Sequence, residues 1–397
     1  MICRMKWKIA AAVFFAASLV MIMYPVNQPE WTTKVMDTEH PERFVSVSTA
    51  PSIAYFNEKG MGGVLFFASP SSGPLQDDIN YYYNGRQWAG GTIDGSPYAG
   101  MFISSAADSS GVHVSYQDAT LGNEKLMYAF YNGSWAKEVV DDVNSGLNVG
   151  MYSSISILEG KPIIFYHTEQ GRKFGYAIKE SGSWNKATLE TGVGWLISTV
   201  ACDNKVFAAY RGRDTQDVHF GTLENGEWSS RNLGVKTSSG IAITEKGCRP
   251  YIAYFDDSKS SVMFLDVTEG RSYRIGSGRL SRVSMASDNS GFHASYYFSE
   301  TGLYYAFSRD GIEWNVTLLS PGERDGWYNS IAASRGNIYL SSLNQTSLKY
   351  MEYNTSASIT IRTLLSAAAA LLFAAGSLIF ITKVYKDKSK KNRKLYK

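Results

Sequence analysis

A pattern of short strands recurs along this chain and limits the folds that it can adopt. Each copy contains an alternating strand, a loop, a second strand, a tight turn and a tryptophan that begins a third strand. The clear copies are Gly111–Trp135, Lys161–Trp184, Lys205–Trp228 and Phe292–Trp314. Because one copy cannot bury its apolar face alone, the copies must pack against one another in sequence order.

The spacing of the copies predicts a β-propeller. The period is roughly forty to fifty residues with four strands per copy, which we label a to d from the innermost strand outward. Glycine-containing turns, suited to tight hairpins, separate strands c and d. We count seven units between residues 30 and 354, so the expected fold class is all-β. It is a seven-bladed β-propeller of four-stranded blades, with a transmembrane helix at each end.

The seventh unit lacks an outer strand, and the start of the chain supplies a candidate. The strands of this unit are Tyr328–Ser334, Ile338–Asn344 and Ser347–Asn354. Glu30–Asp37 contains an early tryptophan, as d strands do, and precedes the first inner strand, which we place at Ser52–Ala54. Pairing it with the last strand closes the ring and covers two open edges. We therefore expect a closing blade shared by both termini.

Two apolar segments flank the propeller. Residues 9–24 follow a basic start, residues 1–8, and are interpreted as a transmembrane helix or signal anchor, with a cleaved signal peptide as the alternative. Residues 363–382 carry no charge and precede a basic tail, residues 383–397, which is typical of a spanning helix with a cytoplasmic flank. Linkers are expected at 25–29 and 355–362. We expect a plasma-membrane protein with an extracellular body and cytoplasmic termini.

The charges and cysteines of the body narrow its partners. Outside the two basic ends the chain has 28 basic and 35 acidic residues without a basic stripe, so nucleic acid is not an expected partner. Cys202 and Cys248 fall in neighbouring units and are either two buried thiols or a disulfide between adjacent blades. Possible N-glycosylation sequons, which fit an exported body, begin at Asn132, Asn315, Asn344 and Asn354.

The repeat resembles the propellers of the fucose-specific-lectin-like and sialidase-like superfamily. The resemblance rests on His-x-Ser-Tyr at His113 and His293, followed by Tyr-Ala and by a glycine turn before tryptophan. It covers residues 30–354 and is a match of fold, which by itself does not imply function. Residues 308–314 resemble the Asp box of sialidases, which is a structural motif of the turn between strands c and d.

Arginines and aromatic residues recur in the loops at one end of the predicted blades. We expect the ligand-binding candidates to surround the mouth of the central channel. Arginine pairs with carboxylates through two hydrogen bonds and aromatic rings stack on sugar faces, so the set suits an acidic sugar. The alternative is a solvated charged rim with aromatic side chains filling the channel. The charged candidates are Arg211, Arg213, Asp214, Asp256, Asp257, Arg279, Arg282, Arg324 and Asp325. The aromatic candidates are Tyr152, Trp195, Trp327 and Tyr328, with Phe102 at the equivalent position of another blade.

No motif for catalysis or cofactor binding is evident. The five histidines have no metal-ligand spacing, and phosphate-binding loops and nucleophile elbows are missing, so we expect neither a metal nor another cofactor. The expected function is a membrane-anchored, non-catalytic binding module of the cell surface, for glycans or envelope components. One alternative is a protein-interaction platform in a membrane or envelope complex. The second is a sialidase-like glycoside hydrolase, for which Glu323 beside Tyr328 would supply the acid and the nucleophile.

Overall fold

The structure is a computed structural model. This structure describes residues 31–37, 45–49, 63–70, 77–84, 88–96, 98–142, 144, 147–168, 172–279, 281–322, 326–334, 336–343 and 347–354. The regular secondary structure in these residues is β-strand throughout, and none of their segments forms a helix able to span a membrane. The expected segments 1–8, 9–24, 25–29, 355–362, 363–382 and 383–397 lie outside the described residues. Contacts within the chain define one compact unit from Thr32 to Glu352.

The strands form seven four-stranded antiparallel sheets, which are the blades of a propeller. Sheet 1 contains β2 (Val45–Thr49), β3 (Gly63–Pro70), β4 (Asp77–Asn84) and β5 (Trp88–Asp94). Sheet 2 contains β6 (Ala99–Ala107), β7 (Val112–Asp118), β8 (Lys125–Tyr131) and β9 (Trp135–Asp141). Sheet 3 contains β10 (Met151–Leu158), β11 (Lys161–Thr168), β12 (Lys173–Glu180) and β13 (Ser183–Thr191).

The remaining sheets follow the same order, except for the last. Sheet 4 contains β14 (Val193–Cys202), β15 (Lys205–Gly212), β16 (Asp217–Glu224) and β17 (Glu227–Lys236). Sheet 5 contains β18 (Ile241–Lys246), β19 (Arg249–Asp256), β20 (Ser261–Asp266) and β21 (Arg271–Ser277). Sheet 6 contains β22 (Ser281–Asp288), β23 (Gly291–Phe298), β24 (Gly302–Ser308) and β25 (Asn315–Pro321). Sheet 7 contains β26 (Tyr328–Ser334), β27 (Asn337–Leu343), β28 (Leu348–Asn354) and β1 (Thr32–Asp37).

The two ends of the propeller chain meet in sheet 7. Strand β1 pairs antiparallel with β28, so that Thr32 lies opposite Glu352 and Lys34 opposite Tyr350. Each inner strand packs against the inner strand of the next sheet, and β26 packs against β2, which closes the ring. The pairing expected between Glu30–Asp37 and the last strand is therefore present.

The first inner strand lies elsewhere than expected. The sequence analysis places it at Ser52–Ala54, whereas β2 occupies Val45–Thr49, and residues 50–62 lie outside the described residues. The five residues of β2 alternate between valine and a hydroxyl side chain up to Thr49 and pair with β3 from Gly63 to Phe67. This alternation is the stronger strand signal, because a half-buried strand changes face at every residue.

Tryptophans on the outer strands fill the space between neighbouring sheets. The indole of Trp228 packs on the ring of Phe165 of sheet 3 with centroids 6.0 Å apart. Trp184 contacts Tyr128 of sheet 2 at 5.1 Å, and Trp314 contacts Phe264 of sheet 5 at 5.4 Å. These tryptophans are partly buried, and their contacts across the sheet boundaries make them structural wedges between neighbouring sheets.

Buried carboxylates at the ends of the outer strands also join neighbouring sheets. The hydroxyl of Tyr116 donates to Asp94 at 2.7 Å, and that of Tyr166 donates to Asp141 at 2.6 Å. Burial, together with the adjacent carboxylate, raises the pKa of both tyrosines well above the usual value, so each remains a hydrogen-bond donor at neutral pH. These contacts fix the angle between sheets 1 and 2 and between sheets 2 and 3.

Two further sequence features have defined places in the fold. Cys202 of sheet 4 and Cys248 of sheet 5 form a disulfide, with Cα atoms 5.5 Å apart. In the segment resembling an Asp box, Asp310 accepts hydrogen bonds from the backbone of Ile312 and Glu313. The indole of Trp314 donates to the carbonyl of Gly311 at 3.1 Å. This segment therefore stabilises a turn between strands β24 and β25 and lies away from the central channel.

Candidate functional site

An unusual backbone conformation begins the inner strands of three consecutive sheets. Phe102, Tyr152 and Leu196 have φ angles of 53°, 55° and 53°, in the left-handed region that bulky residues rarely adopt. The pairing of each strand with its neighbour shifts register at this point, between Met101 and Ser104, between Met151 and Ser154, and between Trp195 and Ser198. Such bulges redirect side chains and occur preferentially at functional sites.

A glycine permits each bulge. Gly194 lies two residues before Leu196 and has a φ of 97°. A Cβ atom at this position would lie 2.7 Å from the Cβ of Phe174 in the adjacent sheet. The segment Gly-x-aromatic or Gly-aromatic at the start of an inner strand is therefore a signature of this site.

The aromatic side chains near the bulges form an arc across sheets 2, 3 and 4. Ring centroids of Phe102 and Tyr152 lie 4.7 Å apart, and those of Tyr152 and Trp195 lie 5.2 Å apart. On another side of the channel, Trp327 contacts Tyr297 at 6.0 Å. The arc and the arginines described next line one cavity of about 400 Å³, which we call the channel mouth.

Two arginines line the channel mouth. Arg211 is only 7% exposed, its Nη1 donates to the carbonyl of Ser238 at 3.0 Å, and its guanidinium lies over the ring of Trp195 at 5.3 Å. Its Nε is buried and has no hydrogen-bond partner among the described residues. Burial lowers the pKa of Arg211, yet an arginine remains cationic at neutral pH. The second arginine, Arg282, lies over the ring of Tyr328 at 5.1 Å.

The mouth continues into a narrower, serine-lined channel. A cavity of about 270 Å³ shares Phe102, Tyr152, Arg282 and Tyr328 with the mouth, so the two spaces are continuous. The channel is lined by Ser104, Ser154, Ser198, Ser239, Ser284 and Ser330. Four of these hydroxyls accept hydrogen bonds from the backbone of the next inner strand; for example, Ile243 N donates to Ser198 at 3.1 Å. These six serines, which we call the serine ring, therefore both hold the sheets together and make the channel polar.

The structure brings six of the expected ligand-binding residues together. The cavity at the mouth is lined by Tyr152, Trp195, Arg211, Arg282, Trp327 and Tyr328. Arg213 lies beside it, with its guanidinium 5.3 Å from the centre of the Trp195 ring. The mouth thus combines cations with flat apolar faces, and its described lining contains no carboxylate.

The other charged candidates are engaged elsewhere. Asp214 pairs with Arg172 at 2.7 Å, Asp256 pairs with Lys259 at 2.7 Å, and Arg279 pairs with Glu300 at 3.1 Å. Asp257 accepts hydrogen bonds from the backbone and hydroxyl of Ser238 and so orders the loop that carries a carbonyl partner of Arg211. Asp214, Asp257 and Arg279 lie in loops and Asp256 ends strand β19, but the direction of each side chain was not predictable.

Several predicted positions lie outside the described residues. These are Glu323, Arg324, Asp325 and the sequon asparagine Asn344. Asn132 and Asn315 lie on exposed parts of sheets 2 and 6, while the side chain of Asn354 is not described. The placement of an acid beside Tyr328, which hydrolysis would require, therefore remains a prediction.

Sequence reasoning missed the channel serines and Ser238. Ser104, Ser154 and Ser198 recur at one position of successive inner strands, and this repetition was a usable signal. Its meaning depends on knowing that the neighbouring backbone amide lies within reach, which only the packed ring reveals.

Comparison with known proteins adds information about the fold. No family model and no curated protein sequence matches the chain. Among solved structures, Trypanosoma rangeli sialidase with the inhibitor DANA matches with a TM-score of 0.50 and 10% identity, over 82% of this chain and 57% of that chain. A second complex of that sialidase matches with a TM-score of 0.51 and 9% identity, over 85% of this chain and 60% of that chain. A fucose-specific lectin from Aleuria aurantia gives a TM-score of 0.47 and 16% identity, over 72% of this chain and 97% of that chain.

The similarity to the sialidase structures supports the β-propeller fold and no more. The identities are far below the level at which an activity or ligand is shared. The chain spans less than two thirds of the sialidase chains that it matches.

Proposed function

We propose that the protein is a non-catalytic binding module of the cell surface that holds an acidic glycan at the channel mouth. The observation that carries this proposal is Arg211, a buried cation whose Nε lacks a partner among the described residues and which borders an open cavity. A buried cation is costly unless it is paired, and a ligand carboxylate in the mouth would pair with the guanidinium of Arg211. The aromatic arc offers flat faces on which a sugar ring stacks.

The shape of the mouth supports a ligand with two unlike parts. An anionic group would lie between Arg211 and Arg282, while an apolar ring face would contact Tyr152 or Trp195. Hydroxyl groups entering the narrower channel would meet the serine ring. The glycosidase alternative requires an acid near Tyr328, and the interaction-platform alternative requires no sugar at all.

The binding test uses the full chain in detergent with paired glycans that differ only in a free or methyl-esterified carboxylate. We expect the free acid to bind and the ester to bind weakly. Arg211→Gln and Arg282→Gln should each lower the affinity about 10- to 100-fold, because a hydrogen bond to a charged group contributes about 1.5–3 kcal/mol. Arg271→Gln, an exposed arginine on the outer strand β21, is the matched control and should bind normally.

Three outcomes distinguish the alternatives. Equal binding of acid and ester, or normal binding by both folded mouth variants, would contradict the proposed site. Failure to bind any glycan would favour a protein-interaction platform. Release of sugar from a bound glycan would favour the hydrolase.

We also propose that both termini are cytoplasmic and that the propeller lies outside the cell. The support is the sequence: basic residues flank the apolar segments 9–24 and 363–382. In a Cys3→Ser background, Leu121→Cys reports on the body, where Leu121 is 93% exposed, and Ser389→Cys reports on the tail. A membrane-impermeant thiol reagent on intact cells should label only the first. Labelling of the tail alone would show the opposite topology, with the tail outside the cell. The parent without an added cysteine is the control.

A further inference from the structure

The ends of sheets 4 and 5 opposite to Arg211 bring two sulfurs and a carboxylate together. Strand β14 ends at Cys202 and turns at Asp203, while Cys248 occupies the turn between β18 and β19. Asp203 and Cys248 both have left-handed backbones, with φ angles of 52° and 59°. The two hairpin turns therefore present their side chains side by side across the boundary between the sheets.

The carboxylate lies against the disulfide. Asp203 Oδ2 is 3.4 Å from the Sγ of Cys248, and the two sulfurs and a carboxylate oxygen all lie within 4.8 Å of one another. Glu245 accepts a hydrogen bond of 2.8 Å from the backbone nitrogen of Cys248, which fixes the second turn. Asp203 is exposed and both cysteines are partly exposed, so solutes reach the cluster.

Reduction would convert the disulfide into two thiols beside the Asp203 carboxylate. A dithiol supplies two electrons that break the S–S bond, each sulfur takes up one proton, and the dithiol becomes an intramolecular disulfide. A divalent cation then displaces the two thiol protons, because the thiolate is the ligand form of cysteine. We propose that the reduced cluster of Cys202, Asp203 and Cys248 is a binding site for a thiophilic divalent metal ion such as Zn²⁺ or Cd²⁺.

The distances fit such an ion. Zinc bonds of about 2.3 Å to sulfur and about 2.0 Å to oxygen, in a tetrahedron, place ligand atoms about 3.5–3.8 Å apart. The carboxylate and the Cys248 sulfur are already 3.4 Å apart, and the turns hold the whole set within 4.8 Å. The exposed side leaves the fourth position to water. Two thiolates select a soft ion over Mg²⁺ or Ca²⁺, which prefer a shell of oxygen atoms.

The sheets should remain joined when the disulfide is reduced. At the channel end of the same boundary, the backbone nitrogen of Ile243 donates to Ser198, and the side chains of sheets 4 and 5 share a hydrophobic cluster that includes Ile252 and Phe207. The metal site therefore depends on local side-chain rotation rather than on unfolding.

The test uses the full chain with Cys3→Ser, reduced by a dithiol, desalted under anaerobic conditions and titrated with CdCl₂. We expect an ultraviolet thiolate-to-cadmium charge-transfer band that saturates at one equivalent, with release of protons. The oxidised protein should show no band, and MgCl₂ should not compete. A reduced protein that is folded by thermal melting and shows no saturable band would overturn the proposal.

Asp203→Asn decides whether the carboxylate is a ligand, since this variant keeps both cysteines. Its cadmium affinity should fall at least about tenfold. Glu227→Gln, which changes an exposed carboxylate at the same end of sheet 4, is the matched control and should bind as the parent does. Equal affinity in Asp203→Asn and the parent would refute the three-ligand site. Glycan binding at the opposite end is measured separately, so the two proposals can fail independently.

Discussion

At the scale of the residue, Asp288 shows how one buried side chain joins two blades. Its carboxylate is 6% exposed and accepts hydrogen bonds from Ser290 N at 2.8 Å and His293 Nε2 at 3.2 Å. The backbone of Gly336, in sheet 7, donates to the other oxygen at 2.9 Å. Burial alone would raise the pKa of Asp288, but these hydrogen bonds outweigh it and hold the pKa well below its usual range.

This shift predicts a pH dependence of stability. An aspartate with an unfolded pKa of about 3.9 and a lower folded pKa contributes its full stabilisation above about pH 4 and loses it as the pH falls towards the folded pKa. We expect Asp288→Asn to lower the free energy of unfolding at pH 7 by about 1.5–3 kcal/mol, the contribution of hydrogen bonds to a charged group. The gap between parent and variant should narrow below pH 4. Urea denaturation at pH 7, 5, 4 and 3 measures it, and a gap that stays constant with pH would contradict the assignment.

At the scale of the element, the sequence predicted strands and turns better than their irregularities. Turns such as Ser181-Gly182 and Asn225-Gly226 have positive φ at both positions. This is the conformation of the tight hairpin turns that favour glycine at the second position. The bulges at Phe102 and Tyr152 were not predicted, because strand alternation does not show that the residue two positions after Gly100 or Gly150 has a left-handed backbone. The bulges arise where an inner strand directs an aromatic side chain into the channel. The packing of the surrounding sheets offsets the local backbone strain.

The same limit applies to the candidate site. Strand alternation placed Arg211 and Arg213 at the correct end of sheet 4, although Arg211 lies within β15 rather than in a loop. Arg211 donates to the carbonyl of Ser238, which lies in the connection between β17 and β18, and this partner was not predictable. Partners across sheet boundaries, including the serine ring and the Cys202–Asp203–Cys248 cluster, depend on distances that a single sequence does not contain.

At the scale of the whole molecule, β1 completes the sheet in which the two ends of the propeller chain meet. This strand lies outermost in sheet 7, and its pairing with β28 is supplemented by a hydrogen bond of 3.1 Å from Thr32 Oγ1 to the carbonyl of Glu352. Without β1, the backbone groups of β28 would form an open edge. The start and end of the propeller chain would then no longer hold each other in one sheet.

Replacing Thr32–Asp37 by a Gly/Ser segment of equal length tests this closure without changing the length of the linker. Loss of several backbone hydrogen bonds, each contributing about 0.5–1.5 kcal/mol, should lower the free energy of unfolding by at least about 3 kcal/mol. For a body of this size that corresponds to a fall in Tm of about 4–5 °C. The same replacement at residues 391–396 of the tail is the control. An unchanged Tm would mean that β28 is stable as an edge and that the packing of β2 on β26 closes the ring without β1.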